Sequence, residues 1–411
     1  MDDVKIRELP HKSKLSSSDL VVIETNDGTQ VANVNTFKSL LDTATVFETL
    51  YDMREADLEE GLTCITLGYR TRGDGGAAQY IITYNPTLKP NGYDVIKLNT
   101  SDTLRAVFIS LTGTVTPEQF GAKGDGSKDD SIAIQACIDS GLHVLFKPNA
   151  KYCIHTPLEL KSNTYLDLNG CTLLPVVCDV FTLKSSQSEA ALISNLSESD
   201  IIGNIHITNF TVDIRDGLSA IKFCNRVLSN IIIDNFRILN TNRHAIEVSI
   251  VNQLAVKNGY ISGNPEFNTS IIYSDISFLG DEVPSANMSM TSIVIDNIHA
   301  KNIGTIVQSE KASDSADVID NIRIRDINYY SDTLLANSCI FKSLGGNNTN
   351  VTISDIYAKN ISYIADSIAH GVCNISNIQG TNVSSILSHI ASLETNDMVY
   401  NIADTINITT S

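Results

Sequence analysis

The densest group of residues able to do acid–base chemistry lies between positions 213 and 247. Asp213, Arg215 and Asp216 follow one apolar phrase, and Lys222, Arg243, His244 and Glu247 stand on or beside the strands expected next. A glycosidase needs two carboxyls, one as acid and one as base or nucleophile. Glu247 and Asp213 could form that pair, with Arg243 or His244 orienting the sugar and Asp216 a further catalytic candidate. A lyase needs a base and a cation that neutralises a uronate carboxyl, and Lys222 or Arg243 could serve. Lys222 and Glu247 hold matching places in Ala220-Ile-Lys-Phe223 and Ala245-Ile-Glu-Val248, so they are expected to stack. A salt-bridged ladder on a solvated face accounts for the same residues without catalysis. No Gly-x-Ser-x-Gly elbow is present, so serine nucleophile chemistry has no support.

Other features of this kind carry less. Cys64, Cys137, Cys153, Cys171, Cys178, Cys224, Cys339 and Cys373 are scattered without CxxC or His-rich spacing. They read as buried free thiols of a chain folded in a reducing cytosol, and neither a disulfide frame nor a metal site is expected. Gly124-Asp-Gly126 beside Asp129 and Asp130 lacks the spaced oxygen ligands of a calcium loop. Arg72-Gly-Asp74 and the following glycines read as a tight turn, and no Gly-Lys-Ser/Thr follows to make a phosphate loop. No cofactor is expected.

The acid–base group sits inside a repeat. Asn204-Ile-His-Ile-Thr-Asn-Phe returns as Asn230-Ile-Ile-Ile-Asp-Asn-Phe and Gln253-Leu-Ala-Val-Lys-Asn-Gly. Ser292-Ile-Val-Ile-Asp-Asn-Ile, Asn321-Ile-Arg-Ile-Arg-Asp-Ile, Asn350-Val-Thr-Ile-Ser-Asp-Ile and Val372-Cys-Asn-Ile-Ser-Asn-Ile follow. Positions two and four are apolar and mostly alternate with polar residues, the period of a strand with one buried face. Position four is β-branched in every copy, and position six is always Asn or Asp, which tolerate left-handed backbone and mark a bend. Stacked in register, these side chains would form ladders at about 4.8 Å. One strand per phrase with a fixed bend predicts a parallel β-helix of about ten coils, each of about 25 residues. A second strand is expected at 220–223, 245–248, 305–307 and 339–341, and an upstream coil at 165–170. Intervals too long for one coil predict protruding loops at 184–200, 264–290 and 309–320, where binding commonly resides.

Composition limits the partners. With 29 Lys+Arg against 47 Asp+Glu, the net charge of −18 argues against nucleic acid and anionic membranes. It also weakens the case for a highly anionic polymer. No apolar run approaches the roughly 18 residues of a membrane helix, and the start lacks the pattern of a secretory signal. Aromatics make up only 6% of the chain and Trp is absent, which leans away from sugar stacking.

Upstream of the repeat, Asp129 or Asp130 is a good N-cap, Ile134, Cys137 and Ile138 form a helical stripe, and Gly141 ends it. Such a helix would cover the open first coil. The segment Phe120-Gly-Ala-Lys-Gly-Asp-Gly-Ser-Lys-Asp-Asp-Ser-Ile-Ala-Ile-Gln-Ala, followed by an Asn-rich parallel β-helix, resembles the start of pectate-lyase-like proteins. Bacteriophage tailspikes and tail fibres are prominent members of that superfamily. Lys5-Ile-Arg-Glu-Leu-Pro and Ser18-Asp-Leu-Val-Val-Ile-Glu-Thr-Asn-Asp-Gly28 are similar to the head of many phage tail proteins, and Asn26-Asp-Gly28 is a hairpin signal. Residues 61–98 resemble a small β module common in such proteins.

The resemblance implies an all-β chain built on a right-handed parallel β-helix with small N-terminal mixed α/β modules and a capping helix. It divides into a virion-attachment module at 1–45, a β module at 46–112, a linker and capping helix at 113–142, and the β-helix with a C-terminal cap at 143–411. It further implies a tailspike or tail fibre of the virion, made in the host bacterial cytoplasm. Such a spike joins other tail proteins through its N-terminus and recognises host surface polysaccharide, by binding alone or as a depolymerase. A purely structural fibre is the remaining alternative. Neither nucleic-acid binding nor membrane insertion is implied. A homotrimer is expected, for which Ile271, Ile272 and Tyr273 could supply an apolar outward patch, although these three could equally lie inside a coil.

Overall fold

The computed structural model describes residues 20–25, 28–33, 44–183, 201–214, 218–263, 270–275, 290–310, 318–344, 347–367, 370–388, 398–403 and 406–410. The loops expected at 184–200, 264–290 and 309–320 lie largely outside these residues, as do Arg215 and Asp216. The chain forms two compact units, Met1–Ile109 and Ser110–Ser411.

In the first unit Leu20–Thr25 and Gly28–Asn33 pair antiparallel, with Thr25 opposite Gly28, as the Asn-Asp-Gly signal predicts. A five-stranded sheet follows, with Thr45–Phe47, Thr63–Thr66, Ala78–Tyr84, Leu104–Ile109 and Val95–Lys97 in spatial order. Helix Leu50–Glu55 starts at a Thr49–Asp52 capping box and packs Met53 against Cys64, Tyr80, Ile82 and Leu98. The Arg72-Gly-Asp74 segment is a turn. The Asp74 carboxylate accepts from the backbone N–H groups of Tyr69, Arg70, Thr71 and Gly76 at 2.7–3.1 Å. Burial would raise its pKa, but these four donors prevail and lower it.

The second unit is a parallel β-solenoid. One inward column runs Val115, Val144, Leu166, Ile207, Ile233, Val256, Ile295, Ile324, Ile353, Ile375 and Ile402, each paired with the next across a parallel ladder. All but the terminal Ile402 are buried. Position two stacks likewise as Ile205, Ile231, Leu254, Ile293, Ile322, Val351 and Cys373. Branched side chains leave few rotamers to lose, so a stack of them orders at low entropic cost.

The bends are more regular than the phrase suggests. Asn209, Asn235, Asn258, Asn297, Asp326, Asp355 and Asn377 all have φ between 47° and 58°. Five residues earlier Asn204, Asn230, Gln253, Ser292 and Asn321 have φ of 55–67°, and five residues later Asn240, Asn302, Asn360 and Asn382 have φ of 53–59°. Up to three left-handed bends at five-residue steps therefore turn the backbone in a repeat, with all three present at 230, 235 and 240 and at 292, 297 and 302. Short amide side chains make this affordable by pairing coil to coil: Asn230 Nδ2 donates to Asn204 Oδ1 at 2.9 Å, Asn297 to Asn258 at 2.8 Å and Asn382 to Asn360 at 2.8 Å. At Gly259 a different constraint acts. The Phe236 ring, stacked on Phe210 with centroids 5.6 Å apart, lies beside it, and a Cβ there would lie 2.3 Å from the Phe236 ring.

Helix Ser131–Asp139 buries Ile134, Cys137 and Ile138 and ends at Gly141, φ 75°. It packs on the first coils, where Gln135 exchanges hydrogen bonds with the backbone of Glu159. Its cap differs from expectation. Asp130 stands at the N-cap position, but its carboxylate accepts from Lys123 N (2.7 Å) and Gly124 N (3.1 Å), closing the preceding turn. Asp129 instead accepts from Ser131 N and Oγ. Asp125 of the Gly-Asp-Gly segment accepts from Ser127 and Lys128, an Asx turn. The seven described cysteines are free, and all but Cys178 are buried. Among the described residues no helix is long and apolar enough to cross a membrane, and no His/Cys/Asp/Glu group could hold a metal ion.

Candidate functional site

Glu247 follows Ile246 at the start of strand Ile246–Gly263 and pairs in register with Lys222 of the preceding coil, as their matched places predict. The expectation of a solvated face is overturned: Glu247 is only 1% exposed. Alternation points it away from the solenoid interior, yet Arg243 reaches back across the turn and covers it. Arg243 Nε lies 3.1 Å from Glu247 Oε1, Lys222 Nζ lies 3.7 Å from Oε2, and Ser219 Oγ donates to Oε1 at 2.9 Å. Lys222 also faces Asp179 at 3.9 Å, whose other oxygen accepts from Ser219 N at 2.7 Å. Two carboxylates and two cations thus interlock across three coils.

Asp179 and Ser219 escape the sequence reading, although each stands two residues before a stacked apolar residue, Phe181 and Ile221. His244 lies half-buried in the turn before Ile246. Asp213 belongs to a different part of the surface, at the end of strand Ile201–Asp213, where it accepts from Asn240 Nδ2 at 2.6 Å. Asp216 lies outside the described residues, and Ile271, Ile272 and Tyr273 have no described side chains. Within the Glu247 network both carboxylate oxygens face cations.

A second array emerges from register alone. Past the position-six bends, outward residues form the column Thr211, Arg237, Tyr260, His299, Asn328, Tyr357 and Gln379. Most are exposed, Tyr357 by 49%. Two residues further along the same strands lies the column Lys301, Tyr330 and Lys359. The cations of this face lie over rings: Arg237 Cζ is 4.6 Å from the Tyr260 centroid, and Lys301 and Lys359 Nζ are 5.8 and 5.3 Å from that of Tyr330. Asp332 accepts from Asn302 at 2.8 Å and lies 3.7 Å from Lys301, and these partners hold its carboxyl below the usual range. Its hydrogen bond with Tyr330 raises the phenol. At the N-terminal end of the array a hollow of about 400 Å³ opens between Asn209, Phe210, Asn235 and Arg237.

The neighbouring face behaves differently. There Asp234, Lys257, Asp296 and Arg325 alternate in sign from coil to coil, and Arg325 Nη2 meets Asp296 Oδ2 at 2.7 Å.

No curated protein matches the chain. Among solved structures, a surface adhesin of Streptococcus pneumoniae aligns over 72% of this chain and 92% of its own, at 13% identity and TM-score 0.41. A tailspike of an Acinetobacter baumannii bacteriophage, described as a capsular polysaccharide depolymerase, aligns over 89% and 76% at 12% identity and TM-score 0.45. A glycan biofilm modifying enzyme of Pantoea stewartii with a tailspike-like parallel β-helix aligns over 94% of this chain and 57% of its own, at 12% identity and TM-score 0.49. The family profile of rhamnogalacturonase A/epimerase, pectate lyase-like proteins matches residues 115–332, which carry the capping helix and most of the stacked coils. That span exceeds half of the 411 residues, and the chain belongs to this family.

Proposed function

We propose that the chain is a bacteriophage spike that holds a host surface polysaccharide along the Arg237–Tyr260–His299–Asn328–Tyr357–Gln379 column. That column is the observation that carries the reading. Sugar rings stack on phenol faces, while guanidinium, imidazole and amide groups donate and accept hydrogen bonds with hydroxyls. Successive coils present such groups about 4.8 Å apart, a spacing that suits an extended polymer lying along the solenoid axis. Few aromatics and no Trp leaned away from sugars, but three tyrosines gather on this one face. Attachment to the virion through the N-terminal unit is supported by the hairpin Leu20–Thr25/Gly28–Asn33 within the segment that resembles phage tail heads. Free buried thiols suit synthesis in a bacterial cytosol.

A homotrimer is supported by an outward column of Tyr165, His206, Ile232, Ala255 and Val294, which leaves Tyr165 38% exposed. A second copy covering it would remove that apolar surface from water. Light scattering is expected to give three times the chain mass, and a monomer would remove this part of the reading.

The polysaccharide test is direct. Full-length protein is immobilised and exposed to a panel of purified bacterial capsular polysaccharides, and retention and polymer length are both followed. Saturable retention of at least one member, reduced at least tenfold by Tyr260→Ala with Tyr357→Ala, is expected. Retention indifferent to both substitutions, or no retention at all, refutes the reading. Shortening of a retained polymer would favour the second reading, hydrolysis or β-elimination at the Glu247 network, whose supporting observation is a buried carboxylate held between Arg243 and Lys222.

A further inference from the structure

We propose that Lys222 and Asp179 join in an intramolecular isopeptide bond, with Glu247 as the catalytic residue that moves the protons. Three reactive groups from three successive coils meet here. Thr182, Lys222 and Glu247 pair in register, so Lys222 stands between the coil that carries Asp179 and the coil that carries Glu247. Its Nζ lies 3.9 Å from Asp179 Oδ2 and 3.7 Å from Glu247 Oε2. The described ion pairs Lys97–Asp102 and Lys301–Asp332 each join a lysine to a single carboxylate, whose side chain is 90% and 50% exposed. At Lys222 there are two carboxylates, and Glu247 is buried.

Each part of an amide condensation has its group. The nucleophile is the Lys222 amine and the electrophile is Cγ of Asp179. Ser219 N–H donates to Asp179 Oδ1 at 2.7 Å, so a backbone donor faces the oxygen on which charge develops as Cγ becomes tetrahedral. Arg243 Nε at 3.1 Å and Ser219 Oγ at 2.9 Å hold Glu247 by Oε1, which leaves Oε2 to the lysine. Oε2 takes one proton from the ammonium and passes it to Asp179 Oδ2. The freed amine attacks Cγ and the Nζ–Cγ bond forms. A second proton then travels from Nζ through Glu247 to Oδ2, and the Cγ–Oδ2 bond breaks to release water. An ammonium and a carboxylate become an amide and one water, with no change in net charge and no oxidant or co-reactant. Between free groups in water this condensation is opposed, but neighbours held in place react at far higher effective concentration. The side chains of Lys222 and Asp179 keep 30% and 19% of their surface in solvent, which gives the released water a way out. The ion pair of the structure is the state before condensation.

The bond ties the chain across 222 − 179 = 43 positions. The repeat is long here, since Asn204 pairs with Asn163 from 41 residues earlier, whereas Asn230 follows Asn204 by 26. A tie across a long segment restricts the unfolded chain as a disulfide does. Unlike a disulfide it needs no oxidising compartment, in keeping with the free thiols of this chain.

Intact mass spectrometry of the full chain supplies the test. Over a week at 37 °C the freshly folded parent is expected to pass from its sequence mass to a mass lower by one water. Tryptic digestion is then expected to release residues 162–184 joined through Lys222 to residues 216–226, without cleavage after Lys222. Lys222→Arg and Asp179→Ala are expected to keep their full masses. Glu247→Gln, shown to be folded by its thermal melt, is expected to form the linked peptide at least tenfold more slowly. Stability of the Glu247 variants is read against parent still at full mass, which separates the ion network from the bond. A parent that keeps its full mass overturns the inference, as does a loss of water that maps elsewhere while Asp179 and Lys222 stay unlinked. Linkage at the parental rate in folded Glu247→Gln overturns the role given to Glu247.

Discussion

Ile324→Ala is expected to destabilise the solenoid by about 2–5 kcal/mol, whereas Arg323→Ala beside it should change stability by no more than about 0.5 kcal/mol. Ile324 is fully buried between Ile295 and Ile353, themselves fully buried, so truncation leaves a cavity between two stacked β-branched side chains. Those walls cannot collapse inward without breaking ladder hydrogen bonds, which places the cost above that of the methylenes alone. Arg323 points outward and is exposed. The contrast between adjacent residues tests the register and the general value of burial together, because a slip by one residue would exchange their fates. Urea unfolding of both variants supplies the comparison. Coils of a solenoid contact only their neighbours, so the loss should also be local. Hydrogen exchange in Ile324→Ala should accelerate first in Met290–Lys301, Val318–Tyr330 and Asn347–Ser367, with the capping helix protected as before. Equal costs for the two substitutions would refute the assigned register.

The inward columns were legible because burial imposes a type on every copy. Position four admits only β-branched residues from Ile207 to Ile375, and such a constraint survives irregular spacing. Its extension to Val115 and Val144 was not legible, since those coils lack the rest of the phrase. One bend column in three could be read. Position one is broken by Gln253 and Ser292, which adopt φ of 67° and 59° in company with their asparagines. The later column is interrupted by Gly263 and Ser331, so no consensus stands out. Left-handed geometry is here enforced by neighbouring coils as much as by residue type.

The outward faces were the hardest to read. Stacking of Lys222 on Glu247 followed from matched places in two adjacent strands, but burial of Glu247 depends on Arg243 folding back over it, a tertiary event without a local signature. Arg237, Tyr260, Lys301, Tyr330 and Lys359 are separated by unequal stretches of chain and share no residue type. Only the ladder register brings them into line.

Glu247→Ala is the second large effect expected, a loss of about 2–3 kcal/mol. Removing one member of a buried ion pair typically costs about 3–5 kcal/mol, because the partner charge is left desolvated. Here Arg243 and Lys222 keep 41% and 30% of their side-chain surface in water and can turn outward, which lowers that figure. Ser219, fully buried, cannot turn outward; losing its acceptor adds part of the roughly 1–3 kcal/mol charged to an unsatisfied group. Glu247→Gln keeps the shape and one carbonyl oxygen for Arg243 and Ser219, so it should cost only about 1 kcal/mol. The pair of substitutions separates structure from chemistry. If the network is structural, the alanine variant loses stability in urea while the glutamine variant retains polysaccharide as the parent does, with polymer length unaffected by the change. If Glu247 does acid–base work, the parent shortens the polymer and the well-folded glutamine variant does not. An alanine variant as stable as the parent would refute the interlocked network itself, since two cations and a buried hydroxyl cannot lose their shared acceptor without cost.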